Sequence, residues 1–278
     1  MEHWIMVDTH CHLNIMVRNF SQNATFIPLN ADELNACQKI LDDAKNNNVN
    51  LIINVGTNLT ESWIGVELTK HFSNCYATLG IHPNDITSQW QQDLATFEKM
   101  IKEQMTERKI VGIGECGIDK HYPNFNLKEQ QTVFDAQIQL ALKHDLPLVI
   151  HSRDADEETY QGLANYNGES KLRGTIHCFS SNLEYAEKYI NLGFVLGFGG
   201  TITYPKNNVL RIVAQKIPLE KIIFETDAPF LPPQTMRGQK NSPSMILFIA
   251  EYIAQLRNED FKIVKRKVEE TTNKLFNI

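Results

Sequence analysis

The stretch WIMVDTHCH, residues 4–12, is a short apolar run that ends in two histidines two positions apart. Side chains of an extended strand alternate between faces, so His10 and His12 point to one side, within reach of one divalent ion. A His-x-His pair alone says little. Its weight comes from GIGECG (112–117), VIHSR (149–153), TIHCFS (175–180) and FETDAP (224–229), each closing a similar run with a carboxylate or an imidazole. In a (β/α)8 barrel the ends of distant strands converge on one mouth, which would bring His10, His12, Glu115, His151, His177 and Asp227 into one polynuclear metal site.

The remainder of the chain fits that architecture. Strand-like runs cover 4–10, 49–56, 75–82, 109–115, 146–151, 174–179, 194–199 and 221–227. They are apolar on consecutive positions, as strands covered on both faces are. Helical spacing appears between them at Leu34, Cys37, Leu41 and Ala44, at Phe134, Ile138 and Ala141, and at Ile246, Ile249, Ile253 and Leu256. Ser242-Pro243 predicts an N-cap followed by proline at the first helical position, and residues 261–278 read as one or two closing helices. Closure removes sheet edges, which favours a barrel over a doubly wound open sheet. Residues 1–278 are therefore read as a single α/β domain, a (β/α)8 TIM barrel of the metal-dependent hydrolase type.

A chain of 278 residues with 42% hydrophobic content can bury a core of that size. Its formal net charge of -6 supplies no general basic surface for wrapping duplex DNA and leaves room for a local basic mouth. The first residues lack a basic n-region, and no apolar run approaches about 18 residues, so a cytoplasmic location without membrane spanning is expected. Monomer is the working expectation. Five irregularly spaced cysteines predict no disulfide framework. Cys11, Cys116 and Cys178 adjoin candidate ligands, and strand alternation predicts that they point away, into the layer between barrel and helices.

Glu115 ends its run among glycines, where a buried carboxylate costs several kcal/mol unless it is paired or ligated. Its two oxygens suit it to bridging two ions. Imidazoles favour Zn, Mn or Co, while Mg prefers oxygen, so two divalent ions are expected with identity open among Mg, Mn, Zn and Co. Gly112, Gly114 and Gly117 match GxGxxG, but the tight turn into a helix that a dinucleotide site requires is missing. His82, Lys120, His121, Arg153, Arg237, Lys240 and Asn241 form a second polar layer suited to phosphate. The long connection 14–30 leaves from the mouth, so Arg18, Phe20 and Phe26 form either a substrate-facing lid or a packed insertion over helix ends.

Taken in order, DTHCHL, GIHP, GECGID, HSR, HCFS, ETDAP, RGQKN and NKLF resemble the TatD family of metal-dependent deoxyribonucleases over nearly the whole chain. The resemblance implies an amidohydrolase-like barrel and divalent-metal-dependent hydrolysis of DNA phosphodiesters, often as a 3'-5' exonuclease requiring accessible strand ends. Carried over by motif, the six residues above are the metal ligands, with Glu115 and Asp227 catalytic, and His82, Arg153, Arg237 and Asn241 face the substrate. Asn14 stands where the family pattern has aspartate, and Cys116 and Ile118 where it has other apolar residues, without removing a ligand. A metal-dependent amidase is the alternative enzyme; it should carry a lysine bridge at a strand end, where this chain has Glu115. A non-enzymatic metal scaffold is disfavoured, because structural zinc needs only about four ligands.

Overall fold

The computed structural model describes residues 5–18, 26–104 and 106–278. Eight parallel strands run β1 (Met6–Cys11), β2 (Val49–Val55), β3 (Cys75–Leu79), β4 (Ile110–Asp119), β5 (Leu148–Arg153), β6 (Gly174–Ile176), β7 (Phe194–Phe198) and β8 (Ile222–Phe224), paired in sequence order. The helices are α1 (Leu13–Val17), α2 (Ala31–Asn46), α3 (Leu59–His71), α4 (Trp90–Glu103), α5 (Leu127–His144), α6 (Asp156–Ala164), α7 (Leu183–Asn191), α8 (Asn208–Lys216), α9 (Ile246–Arg257) and α10 (Phe261–Phe276). Each strand is followed by at least one helix, the (β/α)8 order expected from the sequence. β6 and β8 are shorter than their apolar runs, since strand pairing ends just before His177 and Glu225.

Closure is made just beyond β8. His12 N donates to Ala228 O at 2.7 Å and Asp227 N donates to His10 O at 2.8 Å. Thr226 N and Oγ1 donate to the buried Asp8 carboxyl at 3.0 and 2.5 Å. The bonds that join the first strand to the last therefore run through the candidate ligands themselves.

Val7, Ile53, Val55, Val111, Val149, Val195 and Ile223 form one apolar cluster that fills the barrel, joined by Leu275 and Phe276 of α10. Branched side chains suit a packed barrel interior. Fully burying each contributes about 1.5–3 kcal/mol. The second, larger cluster lies between strands and helices and holds Cys11, Cys116, Phe134, Ile138, Ile249 and Ile253. Alternation explains both layers, with one adjustment. Asp8 pairs with Ile52 and Cys11 with Asn54, so β1 carries one extra residue against β2. An extra residue inverts the facing of everything after it. Val7 fills the barrel, and His10 and His12 still face inward.

Asparagine starts most of the well-capped helices. Asn30, Asn58, Asn126 and Asn182 accept from the backbone N–H three residues on, and Asp260 does the same for α10. Asn30 and Glu33 make a reciprocal capping box. Ser242 does not cap through its side chain, although Pro243 does open the short 3-10 turn that leads into α9. The closing segment is one helix, α10.

The described ends of the 14–30 connection, residues 14–18 and 26–30, pack against the body. Arg18 bonds Glu33 at 2.5 and 2.6 Å and the carbonyls of Ile27 and Pro28, and Phe26 lies against Trp63 with ring centroids 5.8 Å apart. Those two residues fasten the described ends of the connection to α2 and α3, which supports the packed reading for them. Phe20, and the Asn23-Ala24-Thr25 sequon within the same stretch, lie outside the described residues.

β4 and β5 approach closely at Gly117, whose φ is +144° and where a Cβ would fall 2.0 Å from His151 O. Gly168 has φ +100° with open space around it. Gly117→Ala is expected to lower the thermal midpoint more than Gly168→Ala, since strain at positive φ alone costs about 1 kcal/mol and a backbone clash adds to it. Equal shifts in calorimetry would count against the close approach.

Candidate metal centre

Strand ends deliver all six candidate ligands to the barrel mouth. His10 and His12 come from the end of β1, Glu115 from β4, His151 from β5, and His177 and Asp227 from the turns after β6 and β8. His10 Nε2 lies 3.3 Å from His12 Nε2, 3.4 Å from Glu115 Oε2 and 3.7 Å from Asp227 Oδ1. Asp227 Oδ1 is also 3.4 Å from His12 Nε2 and 3.7 Å from His177 Nε2. Glu115 reaches the other side of the mouth, where Oε1 is 2.8 Å from His151 Nδ1. The His10 and His177 rings stack at 3.4 Å.

Several of these spacings are long for hydrogen bonds and suited to shared coordination. Donor atoms around a tetrahedral ion with bonds of about 2.0–2.1 Å stand roughly 3.4 Å apart. The far nitrogens of two histidines are hydrogen-bonded to oxygen, and that of a third lies at ion-pair distance from a carboxylate without a hydrogen bond. His12 Nδ1 donates to Val55 O at 3.2 Å, His151 Nε2 meets Asp119 Oδ2 at 3.0 Å, and His177 Nδ1 faces Glu225 Oε1 at 3.1 Å. Such outer contacts fix the tautomer and aim the remaining lone pair, the arrangement that metal-binding histidines use. His10 Nδ1 is buried without a hydrogen-bond partner. Two of the groups of His and carboxylate atoms close enough to hold an ion contain His10, one with His12 and Glu115 and one with His177 and Glu225. The donor set fits divalent cations.

Electrostatics of the ion-free geometry point the same way. Burial opposes charge on every member and is the largest single effect on each. The imidazoles of His10, His82 and His151 still hold Glu115 well below the usual carboxylate range, and His12, His177 and His10 lower Asp227. Glu225, with Glu115 and Asp227, raises His177 to about 10 against its burial. Protons on His12, His151 and His177, which the carboxylates raise, thus stand in for cations, while burial lowers His10.

The cavity at the mouth has a volume of about 570 Å³. Asp85, Glu115, Asp119 and Asp227 line it, with Arg153 as the basic residue and no lysine among the described lining residues. An anionic substrate would be repelled by that wall unless cations neutralise it.

The residues expected to face substrate divide. His82 and Arg153 line the cavity. Asn84 N donates to His82 Nδ1 at 3.1 Å, so the neutral ring carries its proton on Nε2, toward Glu115 and the cavity. That makes His82 a donor to substrate more readily than a ligand. Burial, with the charge on His151, lowers its pKa to about 3. Arg237 lies outside the lining and stacks on Tyr204, its guanidinium carbon 4.8 Å from the ring centroid. Asn241 is buried, and its amide donates to Thr226 O and Phe230 O at 2.7 and 2.8 Å. It fastens the loop after β8, so the structure corrects the expectation that it meets substrate. Lys120 pairs with Glu158 and His121 with Asp154.

Sequence reading missed Asp119 and Glu225. Both were legible in principle, since Glu225 lies two positions beyond the barrel-filling Ile223, and Asp119 ends the same motif as Glu115. The cysteine expectation holds for Cys11 and Cys116, which are fully buried, and fails for Cys178, which lines the cavity. Its φ of +44° breaks strand alternation immediately after His177.

A parallel eight-stranded barrel with imidazoles and carboxylates gathered at the C-terminal mouth defines a class, the metal-dependent hydrolases of the TIM-barrel type. The sequence profile described as TatD related DNase matches residues 7–277, and the chain belongs to that family. It is 32% identical over 274 residues to YabD of Bacillus subtilis strain 168, an uncharacterised metal-dependent hydrolase, with 99% of this chain and 100% of the relative covered. It is 34% identical over 236 residues to the 3'-5' ssDNA/RNA exonuclease TatD of Escherichia fergusonii, covering 83% of this chain and 88% of that one. The crystal structure of YjjV, a TatD homologue from Escherichia coli K12, matches with a TM-score of 0.86 at 29% identity over 99% of each chain. No helix among the described residues is long and apolar enough to cross a membrane.

Replacing His10 and His12 together with alanine is expected to remove about half of the bound metal, because Glu115, His151 and His177 remain to hold a second ion. Elemental analysis of protein saturated with Zn or Mn measures this, and unchanged stoichiometry would contradict the assignment. Asp119→Asn is expected to weaken metal affinity on the order of 10–100-fold while keeping the fold, the usual effect of losing a group that orients a ligating histidine. Identical calorimetric affinities would remove Asp119 from that role.

Proposed function

We propose that the protein is a two-metal 3'-5' exonuclease that cleaves DNA phosphodiesters from accessible strand ends. The observation that carries this reading is the convergence of His10, His12, Glu115, His151, His177 and Asp227 on one recessed, acid-lined mouth, with far imidazole nitrogens of His12 and His151 held by Val55 and Asp119. Two divalent ions held there, Mg, Mn, Zn or Co, supply positive charge for the phosphate and activate water. His10, His12 and Asp227 would hold one and His151 and His177 the other, with Glu115 available to both. Family membership and the named activity of TatD relatives support the nucleic-acid substrate.

The chain's own groups then have separate tasks. Asp227, kept ionised by its imidazole neighbours, orients the attacking water and takes its proton. The water oxygen joins phosphorus, the P–O3' bond breaks, and the released O3' acquires a proton. His82 Nε2–H and the Arg153 guanidinium donate to phosphate oxygens as charge builds there. A recessed mouth and a net charge of -6 favour an end entering the cavity over a duplex lying across it. The amidase alternative lacks its lysine: Glu115 occupies the strand-end position, and the described cavity lining contains none.

Glu115→Gln is expected to fold normally and to lose hydrolysis by on the order of 100-fold or more, since an amide replaces a bridging carboxylate poorly. Comparable turnover of metal-loaded wild type and variant would sink that role. Offering end-labelled single-stranded DNA, duplex DNA, RNA and a cyclic amide with each metal in turn tests the reaction class. Nucleotide release from DNA ends is expected. Ring opening of the amide without DNA cleavage would overturn the proposal, and rapid cutting of closed circular DNA would defeat the exonucleolytic mode.

A further inference from the structure

The loop after β8 holds an aromatic ring in the open at the edge of the reacting centre. Phe230 is 48% exposed, lines the mouth cavity, and sits three residues beyond Asp227 with its ring centroid 5.9 Å from that of His12. The phenylalanine rings on or beside the last three strands, Phe179, Phe194, Phe198 and Phe224, are buried. An exposed apolar ring gains nothing from water, yet its backbone is fixed from several sides. Phe230 N donates to Asp227 O at 2.8 Å, Phe230 O accepts from the buried Asn241 amide at 2.8 Å, and Asn241 N donates to Pro229 O at 3.1 Å. A second exposed aromatic, Tyr122 at 54%, lines the cavity from the loop after β4, with the Arg153 guanidinium carbon 6.0 Å from its ring centroid.

We propose that Phe230 is a stacking platform for the terminal nucleobase of the strand being cut, which makes an unpaired terminal base the recognised feature of the substrate. The inference rests on the nuclease reading above. Of the parts of a nucleotide, the base alone offers a flat apolar face to match the ring, while sugar and phosphate are met by the polar mouth. A base within a duplex has its faces covered by neighbours and its edge paired, so it must be freed before it can lie on Phe230. Every base has a π-face, so stacking selects for strandedness and not for sequence. Tyr122 and Arg153 across the cavity offer a ring and a cation to the next nucleotide and its phosphate.

The test uses the metal-loaded full chain, with Phe230→Ala and Phe230→Trp compared to wild type on single strands whose 3'-terminal nucleotide either carries a base or is abasic. Alanine substitution of a base-stacking ring reduces binding by about 10-fold. Wild type is expected to prefer the base-bearing end, Phe230→Ala to lower that preference by about 10-fold, and Phe230→Trp to restore it. A second readout needs no turnover. A strand ending in 2-aminopurine through a non-hydrolysable phosphonate linkage is expected to be quenched by wild type and Phe230→Trp and to stay bright with Phe230→Ala. Equal base-to-abasic ratios and equal quenching in wild type and Phe230→Ala overturn the platform while leaving the nuclease reading intact. Quenching that depends on Phe230, with no hydrolysis of any strand under any metal, overturns the nuclease reading and keeps the platform.

Discussion

Charge almost without water is the constraint on which the mouth of this barrel depends. Glu115 and Glu225 have nearly no solvent contact, and His10, His12 and His177 are buried beside them. An isolated buried carboxylate would be strongly unfavourable, so each must face a cation, a donor or both. The response is a shell of oxygen contacts on the far side of the imidazoles and a shell of imidazoles around the carboxylates. Cys178 N and His177 share Glu225 Oε1, and the Gln130 side chain accepts from Asp119 N and donates to Asp119 O at the end of β4.

That charge problem and the closure of the barrel are solved by the same bonds. The β1 to β8 junction is made by His12 N with Ala228 O and Asp227 N with His10 O. Ligand spacing at the mouth is thus set by main-chain hydrogen bonds rather than by side-chain adjustment, which is how a site acquires fixed geometry before anything binds. Gly197 contributes by omission, since a Cβ there would fall 2.3 Å from Glu225 Oε2.

Substrate-facing features are built differently. They stand on loops, and their placement depends on what pins the loop. Asn241 holds the turn that presents Phe230, and the capping boxed Asn30–Glu33 pair with Arg18 holds the insertion that follows β1. Residues that look like substrate contacts because they are polar and lie in the correct loop can instead be the fasteners, and the apolar residue they present can be the contact.

The barrel and the strand-end placement of the candidate ligands were legible along the chain because both follow from short-range rules. Period-two alternation aims His10 with His12 and carries His151 and His177 to strand ends, and consecutive apolar runs announce strands covered on both faces. The outer contacts were not legible in that way. Whether His151 leans on Asp119, or Arg237 stacks on Tyr204 and leaves the cavity, depends on neighbours brought together from distant strands. Cys178 turned from the expected layer because a positive φ interrupts alternation. The sequence by itself determined that the six candidate ligands lie at strand ends, since strand periodicity is local. The tertiary structure decided which of them meet, because those contacts form across the barrel between residues that no local pattern links.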